Sequence, residues 1–300
     1  MNVTEYIRPK SLDEALAALD AHGPEALLIA GGTDLLPVMR KTRYAEPAGR
    51  GDVVPAARVL VDVGRLDEIG GIGEEDGFLR VGGATSIAAI AGSPLIKQKA
   101  PVLAAAALSI GSPLVRNRAT VGGNLATASP SADTAPALLS LEAVVRLTSA
   151  KDGAREVALS DFFVGYRSTV LRDTEVITDV LIPVPSPRSA GRFEKVGLRT
   201  ADAISVVCVA TVLELDAGTC LMARIALGAV APIPVRALAV ENALEGRRID
   251  ADLARTAAQL VHEHISPIDD VRGSGTYRTW VAEAVVARTI MQIAGTEDED

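Results

Sequence analysis

The sequence is short of several residue types, and each shortage excludes a class of protein. Its 300 residues include only two cysteines, Cys208 and Cys220, too few for a disulfide framework or a four-cysteine metal cluster. Aromatic residues make up 3%, so alanine, valine, leucine and isoleucine must build the cores. Acidic residues outnumber basic ones, and the net charge of −8 argues against a nucleic-acid partner, which requires a basic surface.

Long apolar runs and common nucleotide signatures are missing as well. No stretch reaches the ~18 apolar residues of a membrane span. Residues 1–6 lack the basic end and apolar run of a signal peptide, so we expect a cytoplasmic chain without a membrane span. Neither Gly-x-Gly-x-x-Gly after a strand nor Gly-x-x-x-x-Gly-Lys-Ser/Thr occurs, so any nucleotide must be held by another architecture.

The sequence does contain an apolar fraction of 48%, ample for packed cores, and a change of pattern near residue 183. Before that point, short apolar strands alternate with helix-like segments, which is typical of a mixed α/β fold. Residues 183–191 are rich in proline, serine and glycine and predict a linker. Three β-rich runs follow and predict an antiparallel meander. Three helices complete the chain, with Trp280 expected in the core of the last one.

Two segments combine a glycine pair with small polar residues. Residues 27–36 (LLIAGGTDLL) and 120–134 (TVGGNLATASPSADT) each pass from an extended run through the pair into a helix-like run. A diphosphate must approach backbone N–H groups closely, a Cβ would block that approach, and the N-terminus of a following helix attracts the anion. Ser129 and Ser131 are among the candidate hydroxyl donors. Taken singly, each pair is typical of a tight turn, as we expect for Gly82 and Gly83; together the two loops could hold one diphosphate.

Five motifs in a fixed order give the chain a resemblance to a known family. They are residues 30–36 (AGGTDLL), 120–133 (TVGGNLATASPSAD), 161–169 (DFFVGYRST), 175–183 (EVITDVLIP) and 193–197 (FEKVG). In this order they resemble the FAD-binding subunits of molybdenum hydroxylases, and the resemblance spans nearly the whole chain. That family includes the medium subunit of aerobic carbon monoxide dehydrogenase, the FAD part of xanthine dehydrogenase and the beta subunit of 4-hydroxybenzoyl-CoA reductase.

The resemblance implies an α+β architecture. Its first part is a p-cresol methylhydroxylase-type FAD-binding domain, residues 1–182, made of two α/β subdomains at about 1–57 and 58–182. The linker at 183–191 leads to a small domain at 192–295 with a three-stranded antiparallel sheet and helices. Residues 296–300 form an acidic tail.

The resemblance also implies which residues contact FAD. They are Leu28, Ile29, Ala30, Gly31, Gly32, Thr33, Asp34, Leu35, Ser109, Ile110, Thr120, Val121, Gly122, Gly123, Asn124, Asp133, Ile177 and Lys195. Oxidases of the wider fold class often attach FAD through a histidine near the first loop. Residues 30–36 contain no histidine, so non-covalent FAD is expected. No side chain is expected to act as a catalytic acid, base or metal ligand.

By the same resemblance, the chain is an FAD-dependent oxidoreductase subunit of a molybdenum hydroxylase or dehydrogenase. It would pass electrons between [2Fe–2S] clusters and an external acceptor or donor. Molybdopterin and the clusters would lie only on partners, a large molybdopterin-binding subunit and a small [2Fe–2S] subunit, in a dimer of heterotrimers. Some relatives carry four additional cysteines for a cluster of their own, which this chain lacks.

Two alternatives stay open at this point. One is a self-sufficient flavin oxidase or reductase of the same fold class, which needs a substrate pocket with its own base. No Tyr/His/Glu constellation in the sequence indicates such a pocket. The other is an interaction module that has lost its flavin, against which the intact glycine pairs argue.

Overall fold

A computed structural model describes residues 3–41 and 58–296 of the chain. The predicted surface loop at 44–57, which ends at the boundary between the two predicted subdomains, lies outside the described residues. So do the last four residues of the predicted acidic tail. Within the described ranges the chain forms three main sheets with helices packed against them, which confirms the predicted α+β class.

The first sheet is parallel and has three strands in the order β1-β3-β2. Its strands are β1 (Glu5–Ile7), β2 (Ala26–Ile29) and β3 (Val59–Asp62). Its helices are α1 (Leu12–His22) and α2 (Leu35–Lys41), with a 3₁₀ turn at Gly23–Glu25. The hydroxyl of Ser11 caps α1 by accepting from the Glu14 N–H at 3.2 Å, as its position before an apolar-periodic run predicts. Apolar side chains of α1 pack on β3 and form a small separate core.

The second sheet is antiparallel and has five strands in the order β4-β5-β10-β6-β7. Its strands are β4 (Ile72–Glu75), β5 (Phe78–Gly82), β6 (Val144–Ser149), β7 (Gly153–Ala158) and β10 (Val176–Pro183). Seven helices and a small hairpin accompany it: α3 (Ile87–Gly92), α4 (Pro94–Lys99), α5 (Pro101–Ser109), α6 (Pro113–Arg116), α7 (Val121–Thr127), α8 (Thr134–Ser140), α9 (Leu159–Phe162), and the pair β8 (Phe163–Gly165) and β9 (Ser168–Thr169).

The third sheet is also antiparallel, in the order β11-β12-β13-β14. Its strands are β11 (Ser189–Gly197), β12 (Ser205–Asp216), β13 (Thr219–Gly228) and β14 (Val235–Arg236). Its helices are α10 (Leu238–Leu244), α11 (Ala251–Gln259), a 3₁₀ turn at Leu260–Glu263 and α12 (Gly275–Ala294). The predicted meander is present, with β14 as a fourth, two-residue strand. Because β10 ends at Pro183 and β11 begins at Ser189, the connection is shorter than the predicted linker.

The second and third sheets share a hydrophobic core. Helix α5 buries Val102, Leu103, Ala104, Ala106 and Ala107 against neighbouring helices and β11. Ala210, Val212 and Ala226 of the third sheet belong to the same core cluster as α5 and α8. The division into domains near residue 182 stays a prediction, and the packing shows that both parts depend on this common core.

Helix α12 corrects one expectation. Trp280 was predicted to be buried, but it is 66% exposed. The buried stripe of the helix runs through Arg278, Ala282 and Val285, at helical spacing. Position 280 lies about 200° around the axis from position 278, and therefore faces outward. No helix in the described ranges is long and apolar enough to cross a membrane.

Candidate functional site

A cleft of about 690 Å³ opens between the loop after β2 and the start of α7. Both predicted glycine loops line it, although they lie about ninety residues apart in the sequence. Its volume falls within the ~300–1,000 Å³ typical of small-molecule sites. The two loops therefore converge on one space, as the hypothesis of a shared diphosphate requires.

The first loop, residues 30–34, contacts the backbone that leads into the second. A Cβ added at Gly31 would lie 2.0 Å from the carbonyl oxygen of Arg118, so only glycine allows this approach. Gly32 has φ of +70°, a left-handed conformation that glycine adopts without strain. The predicted helix after this loop begins at Leu35, two residues later than the Thr33 start indicated by the sequence.

The backbone N–H groups of Gly31, Gly32, Thr33 and Asp34 have no hydrogen-bond acceptor among the described residues. All four residues line the cleft. Partly buried N–H groups need partners, and successive free ones form a concave anion site. This arrangement fits the diphosphate of a dinucleotide.

The second glycine pair lies within the first turn of α7. Thr120 caps that helix, and its Oγ1 accepts from the N–H of Gly123 at 3.1 Å. A Cβ at Gly122 would lie 2.7 Å from the carbonyl oxygen of Gly83. A Cβ at Gly83 would lie 2.0 Å from the carbonyl oxygen of Ile177. Gly83, interpreted above as an ordinary turn residue, therefore joins α7 to β10 and also lines the cleft.

Asn124 presents its amide to the same space. The hydroxyl of Thr134 donates to Asn124 Oδ1 at 2.5 Å. This contact uses the amide oxygen and leaves the NH₂ group as a donor. Asn124 lines the cleft, and no described residue accepts from its NH₂. It supplies a second kind of donor beside the loop N–H groups.

At one end of the cleft, Asp133 forms a buried ion pair with Lys195 of β11. The Nζ–Oδ2 distance is 2.5 Å, and the side chains are 12% and 6% exposed for Lys195 and Asp133. Lys195 also donates to the carbonyl of Ser109 at 3.0 Å, and the hydroxyl of Ser205 donates to the other Asp133 oxygen. Burial raises the pKa of Asp133 above its ordinary value, while the ammonium of Lys195 opposes this.

Most predicted FAD contacts line this one cleft. They are Leu28, Ile29, Ala30, Gly31, Gly32, Thr33, Asp34, Leu35, Ile110, Thr120, Gly122, Gly123, Asn124, Asp133 and Ile177. Ser109, Val121 and Lys195 do not line the cleft. Val121 is buried in the core, and Lys195 contacts the cleft residue Asp133. A binding role for each of these residues stays a prediction.

One wall of the cleft was not expected from the sequence. It is built by the β8–β9 hairpin and the segment before β10, namely Arg167, Thr169, Leu171, Arg172, Asp173, Glu175 and Val176. Arg167 lies 3.5 Å from Asp34 of the first loop, which joins the hairpin to that loop. Burial opposes ionisation of Glu175, but Arg155 at 2.6 Å and the Arg172 N–H hold its pKa below the ordinary value. The motifs 161–169 and 175–183 contain four of these residues, and Leu171, Arg172 and Asp173 lie between the motifs. Local patterns do not reveal which side chains face a cleft.

Comparisons with known proteins agree with this geometry. The family described as FAD binding domain in molybdopterin dehydrogenase matches residues 2–185, and the CO dehydrogenase flavoprotein C-terminal domain matches residues 192–293. The chain belongs to this family of molybdopterin dehydrogenase flavoproteins. The carbon monoxide dehydrogenase medium chain of Hydrogenophaga pseudoflava is 33% identical over 286 residues, 95% of each chain. The nicotinate dehydrogenase FAD-subunit of Eubacterium barkeri is 31% identical over 295 residues, covering 96% of this chain and 95% of that one.

Solved structures of this flavoprotein family superpose closely. Carbon monoxide dehydrogenase from Hydrogenophaga pseudoflava, in a form that lacks the Mo-pyranopterin moiety, matches with a TM-score of 0.88 at 34% identity, over 97% of this chain and 96% of that chain. Quinoline 2-oxidoreductase from Pseudomonas putida 86 matches with a TM-score of 0.87 at 33% identity, over 97% and 96%. The predicted family, fold class and FAD cofactor are confirmed, as is the role of a flavoprotein oxidoreductase subunit.

The cleft fits the cofactor of this flavoprotein family. The N–H groups of residues 31–34 and the amide of Asn124 are donors suited to the diphosphate, and FAD when bound supplies the electron-transfer chemistry. Both cysteines are buried, and burial raises the pKa of Cys220 to about 11 and that of Cys208 further. The thiols therefore stay protonated at neutral pH and contribute packing.

Proposed function

We propose that the cleft residues hold FAD non-covalently and that the chain relays electrons between partner [2Fe–2S] clusters and an external acceptor or donor. The observation that carries this is the row of four N–H groups, Gly31 to Asp34, which have no acceptor among the described residues and line the same cleft as the amide of Asn124. Free donors converging from two loops favour a diphosphate. Family membership favours FAD as its source.

FAD binding can be tested at Gly123. Apart from Thr120 Oγ1 at 3.0 Å, a Cβ there meets no described atom within 4 Å, and the residue lines the cleft. Gly123→Val should leave the fold intact but place a side chain in the cleft between the two glycine loops. FAD should then bind about tenfold more weakly or worse, a loss of about 1.4 kcal/mol in binding free energy for each factor of ten. The measurement is titration of the flavin-free full chain with FAD, followed by visible absorption and flavin fluorescence.

Gly73→Val is the matched control, because a Cβ at Gly73 on β4 meets no atom of the described residues within 4 Å and Gly73 does not line the cleft. It should bind equimolar FAD as the unchanged chain does. A flavin-free chain that takes up no FAD would contradict the proposal. So would a folded Gly123→Val variant with unchanged affinity.

Assembly with a large molybdopterin-binding subunit and a small [2Fe–2S] subunit, as a dimer of heterotrimers, belongs to the same proposal. Relatives are named medium chain or subunit, and the matched Hydrogenophaga structure is described as lacking the Mo-pyranopterin moiety of its molybdenum cofactor. Large apolar side chains exposed on this chain, among them Leu114, Leu198, Ile204 and Val271, are suited to protein contacts. We propose a cytoplasmic location for the complex.

Co-expression with a large molybdopterin-binding chain and a small [2Fe–2S] chain from the same genome tests the assembly. A stable complex that contains flavin, molybdenum and iron is expected, and its mass gives the stoichiometry. If the folded, flavin-bound chain stays alone in the presence of both chains, the assembly proposal fails while the FAD proposal stands. Turnover of an organic substrate with oxygen by the isolated chain would favour a self-sufficient oxidase.

A further inference from the structure

A chain of charged groups runs from α12 to the wall of the cleft. Arg278 is 1% exposed and donates to two backbone carbonyls of the third-sheet region and to Asp270 Oδ1, at 3.1, 3.0 and 2.6 Å. Asp270 Oδ2 in turn accepts from Nη2 and Nε of Arg272 at 2.6 and 3.1 Å. The remaining Arg272 nitrogen, Nη1, donates to Ser131 Oγ at 3.2 Å. Ser131 lines the cleft.

Asp270 holds Arg272 in one orientation. Besides the two guanidinium contacts, its Oδ1 accepts from the backbone N–H of Arg272 at 2.8 Å. These hydrogen bonds lower the pKa of Asp270 to about 2, so the carboxylate is ionised at neutral pH. The guanidinium is planar, so engaging Nε and Nη2 sets the direction of Nη1.

The bond from Arg272 decides which way the Ser131 hydroxyl can donate. A serine hydroxyl has one hydrogen and two acceptor positions. Since Nη1 occupies an acceptor position, the hydrogen must point away from Arg272. No described residue accepts it, and the open side of Ser131 is the cleft.

We propose that Arg272 is a positioning residue: it directs the Ser131 hydroxyl as a hydrogen-bond donor toward an oxygen of the flavin nucleotide. This rests on the proposed binding of FAD in the cleft. Arg272 does not merely anchor the segment 129–133, because other contacts do so. Pro130 accepts from the Ala229 N–H at 2.7 Å, and Asp133 pairs with Lys195 at 2.5 Å.

A double-mutant cycle of Ser131→Ala and Arg272→Gln in the full chain tests this, with the FAD dissociation constant measured by fluorescence titration. Each single variant should bind FAD about fivefold to tenfold more weakly. This loss of affinity corresponds to the free energy of roughly one hydrogen bond. Because both act through one hydroxyl, the double variant should bind no more weakly than Ser131→Ala alone. Ser131→Thr, which keeps a hydroxyl, should retain most of the affinity.

Arg288→Gln is the matched control: it breaks a comparable pair with Glu194, and neither residue lines the cleft. Its FAD affinity should not change. Additive losses in the cycle, or full affinity in Arg272→Gln, would overturn the inference. If Arg272→Gln does not fold, equal affinity of Ser131→Ala, Ser131→Thr and the unchanged chain overturns it. An unchanged chain that binds no FAD overturns the proposed function itself.

Discussion

Gly31 is needed for a contact between two backbones. The sequence predicts that glycine is required here so that a phosphate can approach, but the nearest atom to its absent Cβ is the carbonyl oxygen of Arg118. Gly122 has the same relation to Gly83. Gly31, Gly83 and Gly122 therefore allow close backbone contacts that link the two loops and β10. The residue type was predictable; the reason was not, because it depends on segments far apart in the chain.

Gly31→Ala should therefore lower stability as well as FAD binding. Backbone atoms cannot move aside as a side chain can, so a Cβ at 2.0 Å must displace a loop. We expect a loss of about 3 kcal/mol in the free energy of unfolding, the upper range for overpacking. Urea unfolding measures it. Gly73→Ala, where the Cβ meets nothing, should change it by less than about 0.5 kcal/mol.

Lys195→Met should make stability depend more steeply on pH. Burial already raises the pKa of Asp133, and loss of the opposing ammonium raises it further. A carboxyl with a raised folded pKa adds stability below its unfolded pKa of about 3.9, and this is lost as pH rises through the folded pKa. The variant should therefore differ least from the unchanged chain near pH 4 and be about 3–5 kcal/mol less stable at neutral pH.

Unfolding titrations at several pH values measure this difference. Lys99→Met is the control, since Lys99 and Glu74 form an equally short pair at 2.6 Å that is more exposed, 30% and 45%. Its cost should stay below about 1 kcal/mol. A destabilisation by Lys195→Met that is constant across pH would show that Asp133 does not titrate in the folded variant.

Among the elements, those with their own local signal were predicted well. The capped α1, the meander of β11 to β13 and the long α12 follow from capping residues and periodicity. Strands β1, β8, β9 and β14 have two or three residues each, too few to show alternation, and were missed. The sequence also did not reveal β4, whose residues were interpreted as a polar turn, or the largely polar β7. The α5–β11 and α8–β12 contacts, which form the shared core, join distant segments, and no local pattern encodes them.

Helix α12 offers a test of local capping at its N-terminus. The hydroxyl of Ser274 accepts from the Tyr277 N–H at 3.1 Å, one of the groups without a partner inside the helix. Ser274→Ala should lower the free energy of unfolding by about 1 kcal/mol. Ser160→Ala, on the surface of α9, should lower it by less than about 0.5 kcal/mol. Equal effects of the two substitutions in thermal unfolding would contradict a capping role.

At the scale of the molecule, the shared core predicts that the flavin-binding part does not fold well alone. A chain ending at residue 185 lacks Ala210, Val212 and Ala226, which complete the core around α5 and α8. We expect this fragment to expose apolar surface, bind a hydrophobic dye and unfold without a sharp transition. Far-UV circular dichroism with dye fluorescence measures this. Cooperative unfolding without dye binding would show that the core of the fragment is self-sufficient.

The row of unpaired N–H groups at Gly31 to Asp34 also bears on how the holoprotein is made. Before the flavin arrives, these dipoles attract whichever small anion the solution offers. Inorganic phosphate should occupy these N–H groups in the newly made chain and slow the binding of FAD. Reconstitution should then run more slowly in phosphate than in chloride at equal ionic strength, because phosphate resembles the diphosphate and competes for the same N–H groups, although both preparations finish with the same flavin content.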